Sequence, residues 1–274
     1  MEFETVLAAV RAQKPLVQCI TNFVTVNDCA NIILASGGSP TMASHPLEVE
    51  EAVCNVQALV CNLGAIEKIE SMILAGKEAN RLTKPVILDP VGAGGTQLRR
   101  VGAKRLLEEV HITAIRGNAS EIRYLAGQNT LGSGVDVSDL DEINEENLPA
   151  ALVMVENLAR KLGTVIAISG KIDAISDGKR SCVLRNGCAT MARITGSGCM
   201  LTSLIGAFCG AWGDPFMATC AAMATMGISG EIAEEKRLRN GTGNATFRND
   251  LIDAVFNLTE EQLIQGVRYE IYKR

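Results

Sequence analysis

Between residues 16 and 187, short apolar runs alternate with longer stretches whose apolar residues recur every three or four positions. The short runs are LVQCIT (16–21), ALVCNL (58–63), PVILDP (85–90), ITAIRGN (112–118), TVIAISG (164–170) and RSCVLRNG (180–187). Helical spacing occupies 26–36, 65–82, 97–109, 119–127 and 148–162. Continuous apolar strands separated by helices predict βαβ units, hence an α/β fold with a central, mostly parallel sheet covered by helices on both faces. Residues 174–187 read differently, as a hairpin: AIS, the turn DGKR, then SCVLR. Beyond 198 the pattern becomes almost wholly helical, over 198–211, 215–237, about 243–257 and a last helix near 260–272. No repeat or linker interrupts the chain, so residues 1–274 are expected to form a single domain.

Ligands of an open α/β sheet sit outside the carboxyl ends of its strands. There this chain places its polar, glycine-rich segments: NLGA after 61, DPVGAGG after 88, RGNASE after 115 and SGKIDA after 168. A further segment, ARITGSGCMLTSLIGAF (192–208), runs from a strand-like piece through TGSG into a helix. Small residues at such a turn let backbone N–H groups point at an anion, and the helix N-terminus adds its positive end. Gly196, Ser197 and Gly198 are therefore a candidate anion hole, with Cys199 in the first turn beside it. Asp89, closing a buried strand before Pro90 and glycines, suits a metal or an ordered water, or a turn that it caps itself. Arg116 emerges at another strand end. Asn118 or Ser120 can cap the helix that follows, and Glu121 falls in its first turn. A cation, two carboxylates and an anion cradle on one sheet edge are what phosphoryl transfer requires.

Composition narrows the field. The net charge is -5 and no basic run exists, which leaves no electrostatic footprint for nucleic acid. The nine cysteines include no C-x-x-C pair, several lie in apolar runs, and only His45 and His111 are present. Buried free thiols in a reducing compartment are expected, and a Cys/His zinc site is not. The acidic, amphipathic start MEFETVLAAVRAQKP lacks a signal-peptide pattern, and no run of 18 apolar residues occurs, so a cytoplasmic protein without a membrane span is expected. Neither G-x-x-x-x-G-K-[ST] nor G-x-G-x-x-G is present, which argues against P-loop ATPases and dinucleotide-binding dehydrogenases. A cysteine-nucleophile hydrolase would need a histidine base beside Cys199, and neither histidine has an evident partner for that task.

TGSGC before an apolar helix resembles the anion-hole motif of ribokinase-like sugar and vitamin kinases. Most of these carry G-x-G-D there; cysteine in place of that aspartate is typical of hydroxyethylthiazole kinases. The chain is similar to that family from end to end, through ITNFVTVNDCAN (20–31), SPTMA (39–43), ILDPVGAGGT (87–96), RGNASEI (116–122), AISGKIDAISDG (167–178) and the run 195–208. The resemblance implies a ribokinase-like fold and transfer of the ATP γ-phosphoryl group to the primary alcohol of hydroxyethylthiazole, in thiamine salvage. It further implies that Met42 and Gly196 contact the thiazole alcohol, with Asn22 a neighbour of that pocket. Arg116 and Ser169 contact ATP, and Asp89 and Glu121 hold Mg2+ through water. Cys199 sits at the acceptor hydroxyl. Position 169 is commonly threonine in the family; serine keeps the hydroxyl and loses a methyl. The helix N-terminus should acidify the Cys199 thiol, while nearby ATP phosphates would oppose that. The resemblance also implies a homotrimer with the thiazole pocket at the subunit boundary. The alternative within the same superfamily is a kinase of another small alcohol, such as hydroxymethylpyrimidine.

Overall fold

The computed structural model describes residues 2–128 and 142–273. Nine strands make one sheet: β1 (Leu16–Ile20), β2 (Ser39–Thr41), β3 (Ala58–Asn62), β4 (Val86–Asp89), β5 (Ala114–Gly117), β6 (Val165–Ile168), β7 (Asp173–Ser176), β8 (Arg180–Leu184) and β9 (Tyr269–Lys273). Their spatial order is β2-β1-β3-β4-β5-β6-β7-β8-β9. The pairings from β2 to β6 are parallel, and those joining β6, β7, β8 and β9 are antiparallel. This is the α/β, mostly parallel architecture read from the sequence.

Successive residues of a strand face opposite sides of the sheet, and here both sides are buried. Val17, Cys19, Val60 and Ile87 enter one core, while Ile20, Leu59, Cys61, Val86 and Leu88 enter the other. That is why the strands read as unbroken apolar runs rather than alternating ones. The first core is filled by α1 (Phe3–Gln13), α2 (Val26–Ser36), α8 (Ser197–Ala211), α9 (Pro215–Asn240), α10 (Asn244–Asn257) and α11 (Glu260–Gly266). The second is filled by α3 (Val49–Cys54), α4 (Ile69–Arg81), α5 (Gln97–Glu109), α6 (Ala119–Leu125) and α7 (Leu148–Leu162).

Helix α8 lies directly on the sheet. A Cβ at Gly206 would come within 2.5 Å of Val60 Cγ2 and 3.2 Å of Val17 Cγ1, so glycine is what lets the helix backbone approach the strands. Every residue from Met200 to Phe208 is buried. Helix α9 begins at Pro215, with Asp214 capping the Phe216 and Met217 N–H groups. Among the described residues it alone is long and apolar enough to cross a membrane, and 83% of its most apolar window is buried in the fold, which makes it a core helix.

The structure departs from the sequence reading in four places, one of them the strand-like piece before TGSG, which is a 3₁₀ segment (Ala189–Arg193) followed by a single extended residue. The stretch 65–82 divides into a 3₁₀ segment (Leu63–Lys68), itself kinked at Ala65, and α4, which begins at Ile69 after Lys68 leaves helical geometry. The short β2 and α3 are additional. The last predicted helix stops at Gly266, and Tyr269–Lys273 is a strand instead, paired with β8. Its registration explains the change. The Tyr269 ring packs edge-on against Phe3 at 5.1 Å between centroids, Ile271 packs against the first core, and Arg185 Nη1 meets Glu270 Oε1 at 2.8 Å. The approach to β9 is fixed as well: Asn186 Oδ1 accepts from Arg268 N at 2.8 Å, while Glu231 accepts from Gly187 N at 2.8 Å and pairs with Arg268.

Candidate active site

The carboxyl ends of β1, β3, β4, β5 and β6 and the N-terminus of α8 converge on one edge of the sheet, around a cleft of about 1670 Å³. Asp89, Arg116, Glu121, Ser169, Gly196, Ser197, Gly198 and Cys199 all line it. Asn22 reaches the same point from the end of β1, with its Nδ2 3.6 Å from Cys199 Sγ. Met42 is not brought there; it packs, partly buried, against the first core.

Gly196 starts α8 with φ +84°, a conformation that costs glycine nothing, and a Cβ on it would lie 2.6 Å from Thr25 Cγ2. No side chain caps this helix, so its first N–H groups face the cleft mouth without an intramolecular acceptor from a cap. Gly198 is needed for a different reason: a Cβ there would collide with Arg116 Nη1. The guanidinium therefore rests against the positive end of α8, two sources of positive potential in one place. It is poorly compensated. Nη2 donates to Ser169 Oγ, Nη1 is a loose 3.8 Å from Asp89 Oδ2, and the buried Nε has no partner. Such a site attracts a phosphoryl group.

Asp89 is buried at the end of β4, and its Oδ2 accepts from Thr202 Oγ1 at 2.9 Å and from Asn62 Nδ2 at 3.1 Å. Burial raises its pKa, more than the charge of Arg116 lowers it. Its second oxygen, Oδ1, is buried without a hydrogen-bond partner. Glu121 closes a capping box with Asn118, accepting from Asn118 N at 2.8 Å on Oε2. Its Oε1 accepts from Gly92 N at 2.9 Å, which ties the DPVGAGG loop to α6. Each of its oxygens keeps a further acceptor site. No cluster of three or more metal-ligating side chains occurs among the described residues. Mg2+ does not need one: it retains waters and takes one or two carboxylates together with substrate phosphates. An orphaned Asp89 oxygen beside Glu121 fits that mode of binding.

At the Cys199 thiol, burial decides the balance that the sequence leaves open. Burial, then the charge of Asp89, pushes its pKa up to about 12, so desolvation outweighs the favourable helix end and the thiol is neutral at physiological pH. The histidines stand apart from it. His45 is exposed in a loop, where its Nδ1 accepts from Leu47 N at 3.2 Å. His111 is exposed ahead of β5, at the opposite end of the sheet, with its backbone held by Asn80. A Cys–His hydrolytic pair is thereby excluded. All nine cysteines are free and six are buried, as the sequence predicted.

Two residues escaped the sequence reading. Asn62, the last residue of β3, is buried between Asp89 and Cys199, with its Nδ2 3.2 Å from the sulfur. Its only signal was its place after an apolar strand, in NLG. Asp173, the first residue of β7, lines the cleft and accepts from Gly170 N at 2.9 Å, which braces the turn after Ser169.

Residues 7–261 match the model of the hydroxyethylthiazole kinase family. The chain belongs to that family. It is 52% identical to the hydroxyethylthiazole kinase of Clostridium botulinum (strain Eklund 17B / Type B), over 93% of this chain and 91% of the relative. It is 49% identical to that of Clostridium beijerinckii, over 93% and 92% respectively. The solved structure of the hydroxyethylthiazole kinase protein from Pyrococcus horikoshii OT3 superposes with a TM-score of 0.87 at 33% identity, covering 99% of both chains. The pyridoxal kinase of Staphylococcus aureus, solved with AMP-PCP and pyridoxal, shares the fold at TM-score 0.60 and 13% identity, covering 95% of this chain and 99% of its own. As a hydroxyethylthiazole kinase family member the chain is a phosphotransferase of ribokinase-like fold, and ATP as co-substrate follows from that class.

The buried acid on the cleft wall gives a prediction for stability. Burial raises Asp173 to about 7, against the Gly170 N–H and the charge of Arg116, which both favour the ionised form. A folded pKa above the unfolded value of about 3.9 means that the folded chain binds this proton more tightly. The group therefore costs stability progressively as pH rises from about 4 to about 7. Asp173→Asn keeps an oxygen for Gly170 N–H and removes the ionisation. Its melting temperature is expected to fall less than that of the wild type between about pH 5 and about pH 7 in calorimetric scans; parallel curves would contradict this.

Proposed function

We propose that the chain transfers the γ-phosphoryl group of ATP to the primary alcohol of 4-methyl-5-(2-hydroxyethyl)thiazole, as a cytoplasmic enzyme of thiamine salvage. The observation that carries this reading is the convergence, in one cleft, of an under-compensated Arg116, the uncapped N-terminus of α8 and Cys199 where most of the superfamily has an acid. Family membership and the named relatives support the substrate.

In this reading Arg116 and Ser169 hold the ATP phosphates, and the backbone of Gly196, Ser197 and Gly198 faces the charge that develops on the transferred group. Asp89 and Glu121 would hold Mg2+ through water, and the ion supplies charge neutralisation to the phosphates. The acceptor alcohol lies between Cys199, Gly196 and Asn22, and Met42, packed against the first core, stands outside that contact. A thiol near 12 does not deprotonate the alcohol beforehand. The protonated thiol engages and orients the hydroxyl, and the alcohol proton leaves late, to a phosphoryl oxygen or water, as a loose transition state permits. A coupled ADP-release assay over hydroxyethylthiazole, hydroxymethylpyrimidine, pyridoxal and ribose tests the assignment. The thiazole is expected to give the highest kcat/KM, and faster turnover of any other alcohol would move the substrate while leaving the phosphate site intact.

Arg116 makes a second test. Arg116→Ala should cost about 1.5–3 kcal/mol of ATP binding, raising the KM for ATP roughly ten- to a hundredfold, with little change in that for the thiazole. If the arginine serves only to brace its neighbours, the variant loses thermal stability and keeps its KM for ATP.

The third element is a homotrimer with the acceptor site at the subunit boundary. Phe23 (87% exposed), Val24 (56%), Leu34 (53%) and Leu47 (89%) lie in the segments that flank Asn22 and Met42, and large exposed apolar side chains so grouped suit a surface covered by another copy. Light scattering at assay concentration is expected to give three times the chain mass; a fully active monomer would refute the arrangement.

A further inference from the structure

We propose that Asn62 is the positioning residue that registers the acceptor side of the cleft to its phosphate side, by tying Cys199 and Asp89 together through one carboxamide. This rests on the reading of Cys199 as the group at the acceptor hydroxyl.

The orientation of the amide is fixed by the backbone. Gly64 N, which can only donate, lies 2.8 Å from one end of the Asn62 carboxamide, so that end is Oδ1. The opposite end, Nδ2, therefore faces Asp89 Oδ2 at 3.1 Å and Cys199 Sγ at 3.2 Å. An amide nitrogen carries two hydrogens, one for each acceptor. Asn22 is fixed in the same way. Its Oδ1 accepts from Val24 N at 3.1 Å and Thr25 N at 3.2 Å. That turns its Nδ2 toward Asn62 Oδ1 at 3.3 Å and Cys199 Sγ at 3.6 Å. The sulfur is thus held between two amide donors, each oriented by backbone N–H groups rather than by a mobile partner. Gly64 makes room for the pair: a Cβ there would lie 2.6 Å from Asn62 Oδ1 and 2.9 Å from Asn22 Nδ2.

This arrangement has a mechanical meaning. A buried carboxamide with its oxygen and both hydrogens engaged has one orientation, so Asn62 fixes the relative placement of Asp89 and Cys199, which also interact directly. Displacement of a reacting group by about 1 Å can cost about a hundredfold in rate. Asn62 contacts neither substrate in this scheme; it acts through Cys199, and its loss should appear in kcat rather than in ATP binding.

The test is a double-mutant cycle of Asn62→Ala and Cys199→Ala, with kcat and both KM values measured at each corner. Asn62→Ala is expected to lower kcat about ten- to a hundredfold with the KM for ATP within about twofold of wild type. In the Cys199→Ala background the same substitution should lower kcat by less than about twofold, because the group it positions is already gone. An equal loss in both backgrounds overturns the proposal, since Asn62 would then act on Asp89 or on packing. A wild-type kcat for Asn62→Ala overturns it too. If Cys199→Ala alone keeps the wild-type rate constant, the reading of Cys199 fails and takes the proposal with it, a result distinct from the other two. Should Asn62→Ala not fold, Gly64→Ala displaces the carboxamides without removing them. It should lower kcat in the wild-type background and not in that of Cys199→Ala, and any other pattern counts against the role of Asn62.

Discussion

The seating of α8 on the sheet is the constraint on which the site depends. Two glycines make it possible at two heights. Gly206 lets the middle of the helix rest on Val60, and Gly198 lets its first turn rest on the Arg116 guanidinium. A bulkier residue at either place would lift the helix, and with it the N–H groups of its first turn. The helix is also buried on every side, so its position is over-determined by packing rather than by a cap. Its N-terminus is held against a cation at some electrostatic cost, and that cost is the binding energy offered to an anion.

Much of the architecture could be read from the chain because both faces of the sheet are buried. That condition turns strands into unbroken apolar runs and places the polar, glycine-rich segments at the strand ends, where Asp89, Arg116, Glu121 and Ser169 were found. Asn118 announced its cap by the glutamate three residues on. Other features had no local signature. Asn62 in NLG looks like any residue that turns the chain after a strand, and only the juxtaposition of β3, β4 and α8 gives its amide two partners. The strand β9 follows a well-capped short helix without a proline between them, and its apolar side chains find their places against residues far away in sequence. The acidity of Cys199 stayed open because a helix N-terminus is visible in sequence, whereas the depth of burial and the proximity of Asp89 are not.

The site also separates two kinds of polar interaction. Around Asn62, Asn22 and Glu121 the donors and acceptors are matched, with backbone N–H groups fixing each side chain. Around Asp89 Oδ1 and Arg116 Nε they are not. Matched groups give a rigid frame, and unmatched buried groups carry a desolvation cost that a ligand or its waters can relieve. The division matches the proposed one: the frame surrounds the thiol, and the unmet demand lies where the phosphates are proposed to bind.

The outermost strand carries a consequence for the order in which the molecule is completed. β9 covers β8, meets Phe3 of the first helix, and is anchored through Arg268 to the Asn186–Gly187 turn that lines the cleft. During synthesis the parallel half of the sheet and its crossover helices are all made long before this strand leaves the ribosome. One wall of the cleft is therefore fastened by the last of the nine strands to emerge, and contacts of such large sequence separation form slowly because their loop entropy must be met first. A nascent chain stalled short of Tyr269 would display its antiparallel edge uncovered, with the unpaired backbone of β8 open to other chains.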